Sequence, residues 1–98
     1  MKLLAKAPLN LLRAFEAAGR TGAFALAASE LELSPSAISH AIRKLENLLD
    51  VRLFQRSTRE ITLTKEGEIL LEHIQRGFNE LQQGLALVTA DESRPLRL

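Results

Sequence analysis

The sequence has no cysteine, tryptophan or tyrosine, and its only aromatic residues are Phe15, Phe24, Phe54 and Phe78. Without cysteine there is no disulfide, no thiolate zinc site and no thiol nucleophile, which suits a reducing cytoplasm. Scattered phenylalanines do not build the stacked aromatic platforms that hold single-stranded nucleic acid. Charge of one sign is also missing: thirteen Lys and Arg against twelve Asp and Glu leave +1, which excludes a protein that coats polyanions by bulk charge. No stretch approaches the roughly 18 apolar residues of a membrane-spanning helix. The N-terminal run Met1-Lys2-Leu3-Leu4-Ala5-Lys6-Ala7-Pro8 lacks the apolar core of a signal peptide. With 98 residues, 46% of them hydrophobic, the chain has room for one small domain and a tail.

The near-neutral total conceals a polarity. Residues 1–65 hold ten basic and six acidic side chains, and residues 66–98 hold three and six. The first part is suited to an anionic partner, and the second to standing away from one.

Apolar periodicity predicts a helix opening at Asn10 as N-cap, following Pro8, with Leu11, Leu12, Phe15 and Ala18 on one face and Gly19 closing it. After a Thr21-Gly22 turn, a short second helix spans about Phe24 to Leu31, with small residues Ala27 and Ala28 where another helix approaches. Ser34-Pro35-Ser36 starts a third, because Ser34 is a good N-cap and Pro35 suits the first helical position. Ile38, Ala41, Ile42, Leu45, Leu48 and Leu49 form its apolar stripe, while Ser36, Ser39, His40, Arg43 and Asn47 form a polar and cationic row at the same spacing. Leu53-Phe54-Gln55-Arg56 and Glu60-Ile61-Thr62-Leu63 are strand-like, and Ser57-Thr58-Arg59 between them is turn-like, so a hairpin is expected.

Thr64 is positioned to cap a last helix of about 25 residues, roughly 38 Å long. Its residues Leu71, Ile74, Phe78, Leu81, Leu85 and Val88 alternate in steps of three and four, as in a coiled-coil seam. Gly77 and Gly84 each cost about 1 kcal/mol inside a helix, less than the roughly 1.5 to 3 kcal/mol gained by burying one seam side chain. So small a body cannot cover the whole seam. The alternatives are a helix folded back on its own domain and a dimer helix, and the length favours the dimer.

Two helices joined by a tight turn, the second with a cationic outer row, followed by a hairpin carrying Arg56 and Arg59, describe a winged helix-turn-helix. The fold expected is therefore mainly α: three helices and a small β-hairpin wing over residues 1–64, then a long dimerisation helix over 65–90. Ordered blocks sharpen this. Leu9-Asn10-Leu11-Leu12-Arg13-Ala14-Phe15-Glu16, Gly22-Ala23-Phe24, Ala27-Ala28-Ser29-Glu30-Leu31, Ser34-Pro35-Ser36-Ala37-Ile38-Ser39, Ile42-Arg43-Lys44-Leu45-Glu46, Leu53-Phe54-Gln55-Arg56 and Leu63-Thr64-Lys65-Glu66-Gly67 together resemble the LysR-type bacterial transcription regulators. The opening block and Ala37-Ile38-Ser39-His40 look most like the branch containing the glycine-cleavage activator and β-lactamase regulators.

The resemblance implies a dimer whose third helix enters the major groove, whose wing follows the backbone toward the minor groove, and whose long helices pair antiparallel. It also implies a further effector domain. Arg94-Pro95-Leu96-Arg97-Leu98 resembles the hinge and first strand of that domain, after the polar linker 89–93, so residues 91–98 are expected to be a hinge and the effector ligand site to lie outside this chain, whether by cutting or by natural truncation. The sequence departs from the family pattern at Ala23, where Ser is usual and would cap the second helix, at Ala25, often Thr, and at Asp50, often Gly.

The partner expected is double-stranded DNA carrying an interrupted inverted repeat, bound by a homodimer. Ser34, Pro35, Ser36, Ser39, His40 and Arg43 are the candidates on the third helix, with the hydroxyls and imidazole near base edges and Arg43, two turns in, on phosphate. Arg56 and Arg59 are the candidates on the wing, and Arg52 either joins them or pairs with Asp50 or Glu46. His73 is expected to point away from the seam. No HExxH spacing, nucleophile elbow, phosphate loop or dinucleotide fingerprint appears, so no metal, no cofactor and no enzymatic activity are expected. The competing class is a helical interaction module without DNA affinity.

Overall fold

A computed structural model of the chain describes residues 2–56 and 61–89. The order of elements is α1 (Lys2–Lys6), α2 (Leu9–Thr21), α3 (Phe24–Leu31), α4 (Pro35–Leu49), β1 (Phe54–Arg56), β2 (Ile61–Leu63) and α5 (Lys65–Thr89). The two strands pair antiparallel, with Phe54 opposite Leu63 and Arg56 opposite Ile61. This is the expected three-helix body, hairpin and long helix. Residues 57–60, which include Arg59 and where a turn was expected, and residues 90–98 lie outside the described residues.

Phe15 of α2, Phe24 of α3 and Phe54 of β1 meet at the centre of the body. The Phe15 and Phe54 rings lie 5.5 Å apart at 60°, and the Phe24 and Phe54 rings 5.8 Å apart at 83°, the tilted arrangements that aromatic quadrupoles favour. Ile38, Ile42 and Leu45 bring the inner face of α4 to this cluster, and all three are fully buried. Ala14, Ala17, Ala18, Ala27 and Ala28 are buried too, and their small side chains let α2 and α3 approach closely. Three of the four aromatic residues thus join the helical body to the base of the wing.

The start and end of α2 differ from the sequence expectation. Pro8, not Asn10, precedes the helix, and the N–H groups of Leu11 and Leu12 donate to the Pro8 carbonyl at 3.0 and 3.4 Å, so Asn10 lies inside the first turn without capping it. Gly19 does not close the helix either. A Cβ there would sit 3.1 Å from Leu71 Cδ2, so Gly19 is the place where α5 presses on α2. The chain leaves the helix at Gly22, whose φ of 77° suits a residue without Cβ. The short α1 was not anticipated.

The other boundaries follow their local chemistry. The Ser34 hydroxyl accepts from the Ala37 N–H at 3.1 Å with Pro35 next in line, and α4 ends at Asp50 in the left-handed conformation, φ 59°. Asp tolerates that region better than most residues, so the position that is often Gly in the family keeps its turn. Ala23 precedes α3 without any side-chain cap bond, the consequence expected of its departure from Ser.

Candidate nucleic-acid interface

On α4, burial of Ile38, Ile42 and Leu45 turns Ser36, His40, Arg43 and Asn47 outward, in steps of four, three and four, and all four are exposed. Ser34 and Pro35 are exposed at the start of the same helix, and Ser39 is half-buried on the flank of the row. The Ser34 and Ser36 hydroxyl oxygens lie 3.2 Å apart, so one donates to the other and the first turn is organised before any ligand arrives. The structure therefore gathers six of the sequence candidates on one face. Arg56 belongs to β1 by its backbone, and Arg59 lies outside the described residues.

A residue that the sequence offered only as a possible partner of Arg52 joins this face to the hairpin. Glu46 is charged yet only 6% exposed. Its Oε2 accepts from the backbone N–H of Leu53 at 2.8 Å and of Phe54 at 3.2 Å. The alternative of a Glu46 pair with Arg52 gives way to these bonds, because the αL turn at Asp50 brings the strand backbone over the carboxylate first. From the other side, Thr64 donates its hydroxyl to the Arg52 carbonyl at 2.7 Å and its N–H to the Leu53 carbonyl at 2.9 Å. The Thr64 hydroxyl also accepts from the Gly67 N–H at 3.0 Å, which caps α5 as its position suggests. The one sequence signal for Glu46 was an acid on the apolar side of an amphipathic helix, four residues after Ile42.

Three charges elsewhere on the body are paired with each other. Arg20 Nε donates to Glu16 at 2.8 Å and its Nη2 donates to Glu30, which ties α2 to α3. These bonds, first to Glu16 and then to Glu30, raise the Arg20 pKa, and the Arg20 bond holds the Glu30 carboxyl below its ordinary value. Among the described residues the ion pairs are these two and Arg76 with Glu72, so neither Arg43 nor Lys44 belongs to one. Arg43, Asn47, Asp50 and Arg52 border a polar cleft of about 400 Å³ at the end of α4.

The seam of α5 divides into two halves. Ile74 is buried in the chain's own core, and Leu71 and Phe78 pack against it, so these three serve the body that they were expected to leave free. Leu81, Leu85 and Val88 are 56%, 65% and 78% exposed. Leu81 also borders an apolar groove of about 500 Å³, which is lined by Leu4 and Leu9 from the first two helices and by Ile74, Gly77 and Phe78 from α5. His73, exposed as expected, stands at its edge. No helix among the described residues is long and apolar enough to cross a membrane, and no group of three or more His, Asp or Glu is arranged to hold a metal ion among them.

Comparison with known proteins places this arrangement. The family described as bacterial regulatory helix-turn-helix protein, lysR family, matches residues 9–68. An uncharacterized HTH-type transcriptional regulator of Sinorhizobium fredii is 47% identical over 96 residues, covering 98% of this chain and 32% of that protein. The glycine cleavage system transcriptional activator of Escherichia coli K12 is 38% identical over 87 residues, covering 89% of this chain and 28% of its own length. The chain thus spans about a third or less of these curated relatives. Among solved structures, a probable transcriptional regulator from Pseudomonas aeruginosa superposes with a TM-score of 0.80 at 35% identity, covering 99% of this chain and 31% of that one. The BenM_DBD chain in the BenM_DBD/catB site 1 DNA complex gives 0.80 at 26% identity, with 88% and 97% covered. The helix-turn-helix, the hairpin and the first turn of the long helix all fall within the matched span, and the chain belongs to the LysR family of bacterial helix-turn-helix regulatory proteins.

Proposed function

We propose that this chain is the DNA-binding part of a transcription regulator, acting in the cytoplasm as a dimer on double-stranded DNA that carries an interrupted inverted repeat. The observation that carries this reading is the exposed row Ser36, His40, Arg43 and Asn47, on a helix anchored by Ile38, Ile42 and Leu45, in a chain that superposes on BenM_DBD from a DNA complex. A helix of this width fits the major groove, where hydroxyl and imidazole groups meet base edges, and an arginine farther along meets phosphate. Arg56 and Arg59 are assigned to the backbone and minor groove from the sequence pattern of the wing.

The second copy is supported by the free half of α5. Leu81, Leu85 and Val88 continue one stripe past the point where the body ends, and the groove bordered by Leu4 and Leu9 meets that stripe at Leu81. An antiparallel partner helix covers both. Two-fold pairing then sets the half-sites one helical turn apart or a multiple of it.

Mobility-shift titration tests the reading, with duplexes selected from a random pool. If about four cations per subunit meet phosphate, the dimer's affinity falls with a log-log salt slope near −7. Absence of retardation of any duplex at low salt sinks the proposal and leaves a helical interaction module standing. A slope shallower than about −3 discards this docking while keeping DNA as partner.

A further inference from the structure

We propose that Glu46 is a positioning residue that sets the wing at a fixed place relative to α4, so that helix and wing engage one duplex as a unit. The inference rests on the reading of the α4 row and the hairpin as DNA-facing, and deepens it by assigning how the two parts are held in register. Glu46 lies on α4 between Arg43 and the αL turn at Asp50. Its carboxylate accepts from two consecutive backbone N–H groups, those of Leu53 and Phe54, at the entry to β1, which carries Arg56 two residues later.

A carboxylate is a costly choice for this place if packing were all it did. Removing an ionised group from water carries a desolvation cost that an apolar side chain of similar volume avoids. In return, two charge-assisted bonds to successive amides fix both the position and the direction of the strand, which non-directional apolar contact does not do. The hairpin is also held at this end by the buried side chains of Leu53 and Phe54, whose apolar contacts carry no such direction. Its strands are three residues each, and a two-stranded ribbon is marginal in isolation. Opposite Glu46, Thr64 takes hold of the same backbone through the Arg52 and Leu53 carbonyls, and a Cβ on Gly67 would sit 2.1 Å from the Leu53 carbonyl oxygen. Leu53 is therefore gripped by α4 on its N–H side and by the start of α5 on its carbonyl side.

Two substitutions separate positioning from general stability. Glu46→Met keeps the length of the side chain and removes the acceptor; Glu46→Gln keeps an acceptor and removes the charge. Each is titrated against a long selected duplex and against the same duplex cut back to the base pairs that face α4. The ratio of the two affinities measures what the wing adds. The parent ratio is expected to be at least about tenfold, from wing cations on flanking phosphate. Glu46→Met brings it close to one with little change on the short duplex, and Glu46→Gln leaves it between those limits, since a neutral bond is roughly half as strong as a charge-assisted one. Equal losses on both duplexes, or an unchanged ratio in the variants that circular dichroism shows to be folded, overturn the proposal. If Glu46→Met does not fold, the Gln variant decides alone, and a ratio equal to the parent's overturns it. A parent protein that retards no duplex removes the DNA reading itself, an outcome distinct from an unchanged ratio.

Discussion

Both the outer row of α4 and the last turns of α5 present side chains to solvent at helical spacing, yet their chemistry is opposite. The α4 row is Ser36, His40, Arg43 and Asn47, and the α5 stripe is Leu81, Leu85 and Val88. Water satisfies the first row as well as DNA would, so its exposure carries no penalty and its value lies in what it can recognise. Exposure of the second costs free energy until another surface covers it, so it calls for a partner whatever the ligand. On the proposed function, one helix is exposed in order to read DNA, and the other because half of its interface belongs to a second copy.

The sharpest way to break this contrast is to put charge on the α5 stripe. Leu81→Glu with Leu85→Glu leaves the core intact, because both sites are more than half exposed. The pair is expected to give a folded monomer in sedimentation, and binding to a two-half-site duplex falls about 100-fold or more as the second half-site loses its tether. A variant that remains dimeric would show that the dimer is built elsewhere. Three residues before the stripe begins, at Phe78, the seam answers to different rules. Ile74→Ala is expected to cost about 2 to 4 kcal/mol in denaturant unfolding, since Ile74 is only 8% exposed within the chain's own core. Loss of dimer without loss of stability in that variant would move Ile74 to the interface.

Reading the α5 seam as one unit shows where sequence pattern stops being informative. Steps of three and four mark which face is apolar, but not what covers it, since intramolecular and intermolecular burial impose the same spacing. The boundary between the halves is set by how far the body extends, which depends on the packing of α2, α3 and α4 together. Gly19 shows the same limit in reverse. A glycine near a helix end resembles a stop signal, and only the approach of Leu71 reveals it as a contact site. By contrast the caps of Ser34 and Thr64 act on N–H groups three residues on, and Pro35 through its own fixed φ, so the starts of α4 and α5 were legible at once. Glu46 was not, because its partners lie seven and eight residues on, across an αL turn whose direction a one-dimensional pattern does not contain.

Within the α4 row the contrast becomes finer, because its members are expected to fail differently. Arg43→Ala should weaken all duplexes alike and make the dimer's salt slope shallower by about 2, one phosphate per subunit. His40→Ala should leave that slope unchanged and lower discrimination at one base pair per half-site by about 1 kcal/mol, read from the selected sequence profile. Identical profiles and identical slopes for both variants would mean that the row does not lie in the groove.

The smallest effect concerns an exposed cation that is already paired. Arg20 bridges Glu16 and Glu30 across α2 and α3, unlike Arg43, so it lends the body rigidity and offers little to phosphate. The Arg20 bond lowers the Glu30 pKa from its ordinary value of 4.5, so the folded form binds this proton less readily than the unfolded chain does. The stability contributed is therefore complete above the unfolded pKa and fades as pH falls through the folded one. Stability of the parent should drop more steeply below about pH 4.5 than that of Glu30→Gln, with the two curves running parallel above it. Since the pair stands in solvent, added salt should reduce the difference seen near neutral pH, and a difference that persists at low pH, where Glu30 is protonated, would assign the effect of Glu30 to something other than its charge.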